Sequence, residues 1–431
     1  MNLILKGNIC YSKSPKELDT TENGYLICER EIVKGVFTEI PEEFASFPVI
    51  DYGSSIIIPG LCDLHTHAPQ YAYRGLGMDM ELLDWLNKYT FPEESKYVEI
   101  DYANIAYDIF TDDLRRGATT RASIFATLHT PATMLLMEKL ERSGLITYVG
   151  KVNMDRNCPD ILRSESAEAA FLATRSWIVS AKDRFKNTKP ILTPRFIPAC
   201  SDELMIMLND LQKEYILPVQ SHLSENKSEI TWVRELCPEA GSYAEAYNNF
   251  GLFGGVGVPT IMAHCVWCES SEEDLIKSNG VFVAHCPQSN INLSSGIAPV
   301  RRFLNKGIRV GLGSDVAGGC HASIFRAMSD AIQVSKLYWR LIDQNDAPLS
   351  VQEAFYLGTA GGGSFFGKVG SFDEGYDFDA VVIDDSRIPS SNPLNLEERL
   401  ARIIYLSDDS CIRDKYVRGR KINIEGRGKH T

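Results

Sequence analysis

The sequence predicts an α/β protein: a (β/α)8 barrel of the TIM type, with a small discontinuous β domain formed by the N- and C-terminal segments. Through the middle of the chain, short apolar runs alternate with longer segments of helical pattern, and eight such units follow one another. This alternation is typical of a parallel barrel. Both ends of the chain contain short apolar runs broken by turn residues instead. The expected division is a β-sandwich-like domain of residues 1–58 plus 371–431 and a barrel of residues 59–370.

The terminal segments have the composition of β structure. The apolar runs of the N-terminal segment are Leu3–Leu5, Tyr25–Ile27 and Ile32-Val33. The pair Asn23-Gly24 is typical of a tight hairpin turn. Near the C-terminus, residues 380–383 read as a strand, and the residues from Val417 to Ile422 read as a hairpin. Because the two ends resemble each other and differ from the middle, we expect them to fold together.

The middle of the chain provides the strands and helices of the predicted barrel. Parallel strands that are buried on both faces read as continuous apolar runs. The first run ends at His67, and the others are expected at residues 118–126, 146–154, 191–196, 217–222, 260–264, 281–285 and 308–313. Helices are expected at 101–116, 131–143, 163–186, 202–215, 226–237, 270–279 and 321–342, with a shorter piece at 298–306. Gly117 follows the first helix, where glycine commonly ends a helix.

Barrel enzymes place their catalytic groups at the C-terminal ends of the strands. The runs end in side chains that can bind metal, substrate or a proton: His65 and His67, Asp155, Arg195, His222, His264, His285 and Asp315. Only the second run, which ends near Phe125, lacks such a residue, and His321 lies just beyond the last run. One histidine on an apolar run is usually a core residue, but five at strand ends are hard to explain in that way.

The histidines and one aspartate at the strand ends match the ligands of a catalytic metal. In a strand, residues two apart point to the same side, so His65 and His67 form a ready pair. With His222 and Asp315 they supply three imidazoles and a carboxylate, which suit zinc and also ferrous iron. The fourth run ends without a lysine that could bridge two metals, and Lys151 lies inside the third run, where a structural role is expected. We therefore expect one ion.

Glu225 follows His222 by three residues. Taken alone, it reads as a carboxylate that stabilises the N-terminus of the next helix. Beside a metal ligand at a strand end, it becomes the natural group to relay protons between the attacking water and the leaving group.

Composition excludes several other classes. The formal charge of −13 is opposite to that of a surface that binds nucleic acid or anionic membranes. No segment reads as a signal peptide or a membrane span, and the eleven scattered cysteines indicate reduced thiols in the cytoplasm. Cys265 and Cys268 form an isolated Cys-x-x-Cys pair, which we interpret as two ordinary thiols because no second pair follows at zinc-site spacing.

The order of these residues resembles the amidohydrolase superfamily of metal-dependent hydrolases. The segments that carry the resemblance are PGLCDLHTH, QSHLSEN, MAHC and GLGSD. HTHAPQYAYRGLGMDMELLDWLNKYTFPEE, TPRF, AHCPQSN and GLGSDVAGG further resemble the members that deaminate guanine. The resemblance implies zinc-dependent hydrolysis of guanine to xanthine and ammonia by a protein that is commonly a homodimer.

The resemblance also implies a role for each matching residue. His65, His67, His222 and Asp315 would hold the metal, with Asp315 also catalytic; Glu225 would move the proton, His264 would orient the attacking water, and Gln70, Arg195 and Phe196 would bind the purine. A flat base with polar edges suits an aromatic face, an amide and an arginine fork.

Other interpretations remain open from the sequence. Arg195 also reads as a surface ion-pair partner, Phe196 as core, and Gln70 as a residue that binds its own loop. His285 and His321 are candidates for either structural or substrate-proximal positions, whereas we expect packing roles for Trp85, Tyr89 and Phe91. The alternative functions are deamination of cytosine, an adenine derivative or an aminotriazine, and a catalytically silent barrel that serves as a scaffold. The zinc deaminase fold with His-x-Glu and Pro-Cys-x-x-Cys is discarded because both motifs are missing.

Overall fold

The computed structural model describes residues 1–254 and 257–424. The N-terminal strands are β1 (Asn2–Ser14), β2 (Glu17–Glu29), β3 (Ile32–Phe37) and β4 (Val49–Pro59). The strands of the middle segment are β5 (Leu61–His67), β6 (Thr119–Phe125), β7 (Ile146–Gly150), β8 (Val152–Asn153), β9 (Thr188–Pro190), β10 (Thr193–Pro194), β11 (Val219–Leu223), β12 (Thr260–His264), β13 (Phe282–His285) and β14 (Arg309–Leu312).

The helices of the same segment alternate with these strands. They are α1 (Leu82–Trp85), α2 (Phe91–Glu94), α3 (Ile100–Arg116), α4 (Thr130–Ser143), α5 (Ala167–Ala181), α6 (Asp202–Tyr215), α7 (Lys227–Leu236), α8 (Tyr243–Asn249), α9 (Ser270–Ser278), α10 (Pro287–Asn292), α11 (Val300–Asn305), α12 (Ile324–Leu341) and α13 (Val351–Tyr356). The C-terminal segment contains β15 (Ala380–Ile383), α14 (Leu396–Leu406), β16 (Ile412–Val417) and β17 (Arg420–Ile422).

The strands of the middle segment pair in parallel. One sheet has the order β5-β6-β7-β9 and a second has the order β11-β12-β13-β14, while β8 and β10 pair with each other. Backbone hydrogen bonds connect the two sheets at both sides. The Gln220 N–H donates to the Leu192 carbonyl at 2.9 Å, and the Asp315 N–H donates to the His65 carbonyl at 2.8 Å. The C-terminal ends of strands from both sheets therefore lie close together.

The parallel strands are buried on both faces, as their continuous apolar runs predict. Every residue of β6 is buried. One set of side chains, which includes Leu64, Ile261 and Phe282, forms a cluster between the sheets. Alternate residues, such as Met262 and Val283, pack with the apolar faces of the helices in a larger cluster. This α/β arrangement confirms the predicted class of fold.

The helix positions follow local capping chemistry. The hydroxyl of Ser201 accepts a hydrogen bond from the Leu204 N–H, so α6 begins where its sequence predicts. The helix expected at 163–186 is shorter, because Ser166 caps its N-terminus and it ends at Ala181. Outside residues 68–98, the helices α8, α10, α13 and α14 were not predicted. The last two carry a readable signal, since Ser350 and Glu353 form a capping box, as do Asn395 and Glu398.

The terminal segments share one sheet with the order β17-β16-β15-β4-β1-β2-β3. The hairpin expected after Val417 is present, with β16 and β17 paired in antiparallel fashion. The turn expected at Asn23-Gly24 is wrong: both residues lie inside the long strand β2. Asn23 has a left-handed φ of 49° and the register of β1 against β2 shifts between Gly7 and Ile9. Asn23 thus lies in a bulge opposite Asn8, while Gly24 pairs with Gly7.

A segment of short helices separates β5 from α3, and we call residues 68–98 the helical insertion. It consists of a 3-10 helix (Ala68–Tyr73), α1, a π-helical turn (Leu86–Thr90), α2 and a second 3-10 helix (Ser95–Val98). None of these elements was predicted, because single helical turns have little periodicity to detect. The insertion places side chains over the C-terminal ends of the parallel strands.

Two further observations concern the whole described chain. Across residues 1–254 and 257–424, the helices lack the combination of length and apolar composition that a membrane span requires. All eleven cysteines are free thiols, and Cys265 and Cys268 are both buried.

Candidate active site

The four residues predicted to hold a metal come together from three strand ends. His65 and His67 belong to β5, His222 belongs to β11, and Asp315 follows β14. The Nε2 atoms of His65 and His67 are 3.2 Å apart, and Nε2 of His222 is 3.4 Å from Nε2 of His67. One carboxylate oxygen of Asp315 lies 3.2 Å from Nε2 of His65 and 3.4 Å from Nε2 of His67. His65, His67 and Asp315 are buried, and His222 is partly buried.

This arrangement fits a divalent ion. Nitrogen and oxygen ligands at tetrahedral angles around zinc are separated by about 3.3 Å, which follows from metal–ligand distances of about 2.0–2.1 Å. The four separations given above have this value. Burial lowers the pKa of His67 and His222, which favours the neutral imidazole that binds metals. Burial opposes ionisation of Asp315, but the neighbouring imidazoles outweigh it and keep the pKa of its carboxyl below the usual range.

Neighbouring groups orient the four residues. Nδ1 of His222 donates to the Arg195 carbonyl at 2.6 Å, which leaves its Nε2 facing the other three residues. The buried carboxylate of Asp63 accepts hydrogen bonds from the Ser314 backbone N–H at 3.0 Å and from its hydroxyl at 2.5 Å. This contact ties the start of β5 to the chain just before Asp315. Partners of this kind fix the direction of metal ligands.

Glu225 and His264 lie on the open side of this cluster. Nε2 of His264 is 3.4 Å from a carboxylate oxygen of Glu225 and 3.7 Å from one of Asp315. Burial raises the pKa of Glu225 to about 7. Burial lowers the pKa of His264, but the carboxylates of Glu225 and Asp315 more than offset that effect and raise it overall. A buried acid with a pKa near neutrality is suited to accepting and donating protons.

Three residues at or near these strand ends have a strained backbone conformation. Ser224, His264 and Asp315 have φ values of 48°, 73° and 44°, in the left-handed region that residues other than glycine rarely adopt. Each sits at or beside a residue of the cluster. Strain of this kind is typical of functional sites, because the surrounding structure must hold the unfavourable conformation in place.

The cluster forms one end of a cavity of about 450 Å³. The lining residues that carry polar or aromatic groups are His67, Gln70, Trp85, Arg195, Phe196, His222, Glu225, Glu229, His264 and Asp315. With the exception of His65, which lies behind them, the predicted metal, proton-transfer and purine-binding residues thus line one cavity.

The predicted purine-binding residues line the same cavity, and we call them, with their partner Glu94, its purine end. The amide nitrogen of Gln70 donates to Oε1 of Glu94 at 2.9 Å, and the Ala317 N–H donates to the amide oxygen of Gln70 at 3.2 Å. The Arg195 guanidinium makes a two-point ion pair with Glu94 at 2.5 and 3.2 Å. Phe196 packs edge-on against Trp232, with 6.2 Å between ring centroids.

Several residues of the site were not found from the sequence. Glu94 holds both Gln70 and Arg195, and it had no assigned role. Asn290 accepts a hydrogen bond from Nδ1 of His264 at 2.9 Å, and the Ser295 hydroxyl donates to Glu225 at 3.1 Å. The segment AHCPQSN resembled the deaminases in sequence, but no spacing rule singles out its asparagine. These contacts join parts of the chain that only the folded structure brings together.

The structure also shows where the remaining residues considered in the sequence lie. Trp85 was expected to pack, but its side chain also lines the cavity wall. The ring of Phe91 lies 5.3 Å from the Arg195 guanidinium, below the predicted purine end. His285 is buried, and neither of its ring nitrogens has a hydrogen-bond partner in the described chain. His321 is exposed. Lys151 is buried and contacts Thr174, in agreement with its expected structural role.

Comparisons with known proteins identify the family. A model of the "Amidohydrolase family" matches residues 56–422. The guanine deaminase of Dictyostelium discoideum is 41% identical over 385 residues, which cover 87% of this chain and 84% of the relative. The guanine deaminase of Escherichia coli is 34% identical over 386 residues, again covering 87% and 84%.

Solved structures agree with this result. Guanine deaminase from C. acetobutylicum, solved with guanine bound in its active site, matches with a TM-score of 0.95 and 48% identity over 98% of this chain and 100% of that one. An adenosine deaminase from Xanthomonas campestris shares the fold, with a TM-score of 0.80 at 20% identity over 97% of this chain and 92% of that one. The chain therefore belongs to the amidohydrolase family.

Proposed function

We propose that this chain is a metal-dependent aminohydrolase that converts guanine and water to xanthine and ammonia. The observation that carries the proposal is the cavity itself. One end holds Glu225, His264 and Asp315, and the other holds Gln70 and Arg195. The similarity to guanine deaminases over most of the chain supports the same substrate.

The proposed architecture is a closed (β/α)8 barrel of residues 59–370, with residues 1–58 and 371–431 as a second domain. The hydrogen bonds between the two parallel sheets at Gln220 and at Asp315 support closure of the barrel. The sheet shared by β1–β4 and β15–β17 supports a domain built from both ends of the chain. Residues 425–431 of that domain lie outside the described part of the chain.

We assign His65, His67, His222 and Asp315 as the ligands of one divalent ion, with zinc as the expected metal and ferrous iron as the alternative. The separation and burial of their ligand atoms support this assignment. When bound, such an ion supplies Lewis acidity that makes a water molecule nucleophilic near neutral pH.

Glu225 is the proposed proton carrier. Its carboxylate takes a proton from the water that attacks C2 of guanine and passes it to the adjacent ring nitrogen. It then delivers the second proton of that water to the departing amine, so that C2 gains oxygen and ammonia leaves. The Ser295 hydroxyl holds one oxygen of Glu225, and the other faces His264, which orients the water and stabilises the tetrahedral centre. Asp315 accepts a hydrogen bond from the same water and orients it for the attack.

Gln70, Arg195 and Phe196 are the proposed purine contacts. An amide and a guanidinium can satisfy the donors and acceptors at the edge of the base, and an aromatic ring can pack on its face. The short distance of Gln70 and Arg195 from their common partner Glu94 supports their position on one side of the ring.

We further propose a cytoplasmic homodimer that binds neither nucleic acid nor membranes. The formal charge of −13 and the eleven free thiols support this environment. Exposed apolar residues near the end of α12, Leu337, Leu341 and Ile342, support an interface between copies. Light scattering after gel filtration measures the oligomeric state.

The decisive experiment is an ammonia-release assay with guanine. We expect turnover that chelation abolishes and added zinc restores, with one ion bound per chain. A panel of cytosine, adenine and an aminotriazine tests the other deaminase activities, and a higher kcat/KM on any of them contradicts the assignment of guanine. A folded protein that binds no metal and releases no ammonia from any base supports the scaffold hypothesis instead.

A further inference from the structure

Glu94 is a buried carboxylate at the end of α2, within the helical insertion. Its side chain is 6% exposed. Oε2 accepts a hydrogen bond from Nη1 of Arg195 at 2.5 Å, and Oε1 accepts hydrogen bonds from Nη2 of Arg195 at 3.2 Å and from the amide of Gln70 at 2.9 Å. A buried carboxylate that receives three hydrogen bonds fixes both donors strongly.

These contacts determine what Gln70 and Arg195 can offer a ligand. The amide of Gln70 cannot flip, because its nitrogen faces Glu94 and its oxygen accepts from the Ala317 N–H. The guanidinium of Arg195 has five N–H donors, of which two point to Glu94. The residue also lines the cavity, and each N–H group that it can offer there is a donor. Arg195 therefore presents only donors to a ligand.

We infer that Glu94 is the positioning residue that restricts this cavity to purines with a carbonyl at C6. Guanine has two adjacent acceptors at O6 and N7, which match a two-pronged pair of arginine donors, whereas adenine has a donor at position 6. Because Nη1 and Nη2 each donate one hydrogen bond to Glu94, the prongs left for these two acceptors are the Nε N–H and the second N–H of Nη2. The inference rests on the proposed function, because it places the purine edge at Arg195.

The charge of Glu94 has a second consequence. Arg195 is buried, and a buried guanidinium without a counter-ion is costly. Glu94 is that counter-ion, and it does not itself contact the substrate. The cavity can therefore bind an uncharged base without placing a net positive charge beside it. Removal of the negative charge of Glu94 should release Arg195 from its fixed position. The cavity should then select less strongly between 6-oxopurines and adenine.

The test uses Glu94→Gln, which keeps the size of the side chain, with Glu93→Gln as the matched control. Glu93 is the preceding residue of α2 and is also buried, but it pairs with Lys96 at 2.6 Å and with the hydroxyl of Tyr102. The probes are hypoxanthine, a 6-oxopurine without the 2-amino group, and adenine, both used as competitive inhibitors of guanine turnover in the metal-loaded protein.

We expect wild type to bind hypoxanthine at least about 10-fold more tightly than adenine, as loss of a charge-assisted hydrogen bond implies. In Glu94→Gln, inhibition by hypoxanthine should weaken about 10- to 100-fold while inhibition by adenine changes less than about 3-fold. The KM for guanine should rise by a similar factor with kcat and metal content largely unchanged. Glu93→Gln should retain the wild-type ratio.

Three results would overturn the inference: equal binding of hypoxanthine and adenine by wild type, equal weakening of both inhibitors in Glu94→Gln, or loss of selectivity in Glu93→Gln as well. The wild-type measurement needs no variant, so the inference stays testable if Glu94→Gln does not fold. Ammonia release from guanine by wild type tests the proposed function separately, because it depends on the metal end rather than on the hypoxanthine-to-adenine ratio.

Discussion

The two ends of the cavity are built in different ways. The metal end consists of side chains at the C-terminal ends of parallel strands, with His65 and His67 on β5 and His222 on β11. The purine end combines Gln70 and Glu94 of the helical insertion with Arg195 after β10. Strands hydrogen-bonded to neighbours on both sides move little, whereas short helical turns depend on a few side-chain contacts. We therefore expect the sheet to support the proposed reaction chemistry and the insertion to support substrate selection.

This difference predicts that substitutions at the two ends change different kinetic constants. A group that acts on the reacting atoms affects kcat, whereas a group that binds substrate and transition state equally affects KM. Variants at the metal end should therefore lower kcat, and variants at the purine end should raise KM.

The largest effect is expected for Glu225→Gln, which keeps the shape of the side chain but cannot carry a proton. We expect kcat for guanine to fall about 10²- to 10⁴-fold. Metal content and inhibition by hypoxanthine should stay within about 3-fold of wild type, since neither needs the charge. Steady-state kinetics and metal analysis measure these quantities. A near-normal kcat would show that Glu225 does not carry the proton.

A change at the purine end should act on binding. Arg195→Lys keeps the positive charge but loses the two-point contact, so we expect the KM for guanine to rise about 10- to 100-fold with kcat within about 3-fold. The backbone carbonyl that binds His222 is unaffected by this substitution. A fall in kcat at unchanged KM would contradict the assignment of substrate binding to the purine end and of catalysis to the metal end.

A smaller effect is expected at Asn290, which contacts His264 rather than the reacting atoms. Asn290→Ala removes the acceptor for Nδ1 of His264, so the imidazole loses its fixed orientation. We expect kcat to fall about 10-fold, as is common when an orienting partner is removed, with KM for guanine nearly unchanged. Asn290→Asp, which retains an acceptor, should recover most of the activity. An equal loss in both variants would indicate structural damage instead.

The smallest effect is expected for Phe196→Leu. A branched aliphatic side chain preserves most of the apolar contact but removes the aromatic face, which is worth about 0.5–1.5 kcal/mol beyond its area. We expect the KM for guanine to rise about 3-fold and kcat to remain unchanged. A large fall in kcat would mean that Phe196 influences the metal end through its neighbour Arg195.

The same contrast explains how much could be predicted from the sequence. Strand ends are visible in a sequence because an apolar run stops at a polar residue, which is how His222 and Asp315 were found. The helical insertion lacks such a signal, since its turns are too short to show a period. The contact between Glu94 and Arg195 spans 101 residues, and no local pattern specifies it.

Local conformation also limited the prediction of the fold. Asn23-Gly24 favours a left-handed backbone, and both a turn and a bulge satisfy that preference, so only the pairing of β1 with β2 decides between them. The helix α14 is the opposite case, because its capping box at Asn395 is a local signal that can be read from the sequence.

Residue 195 belongs to both ends of the cavity through different atoms. Its main-chain carbonyl accepts the hydrogen bond of His222, while its side chain faces Glu94. Every amino acid has that carbonyl, so natural variation at this position can alter which base is accepted without removing the bond that orients His222. New substrate preferences could thus arise by single substitutions in a lineage that never loses its metal.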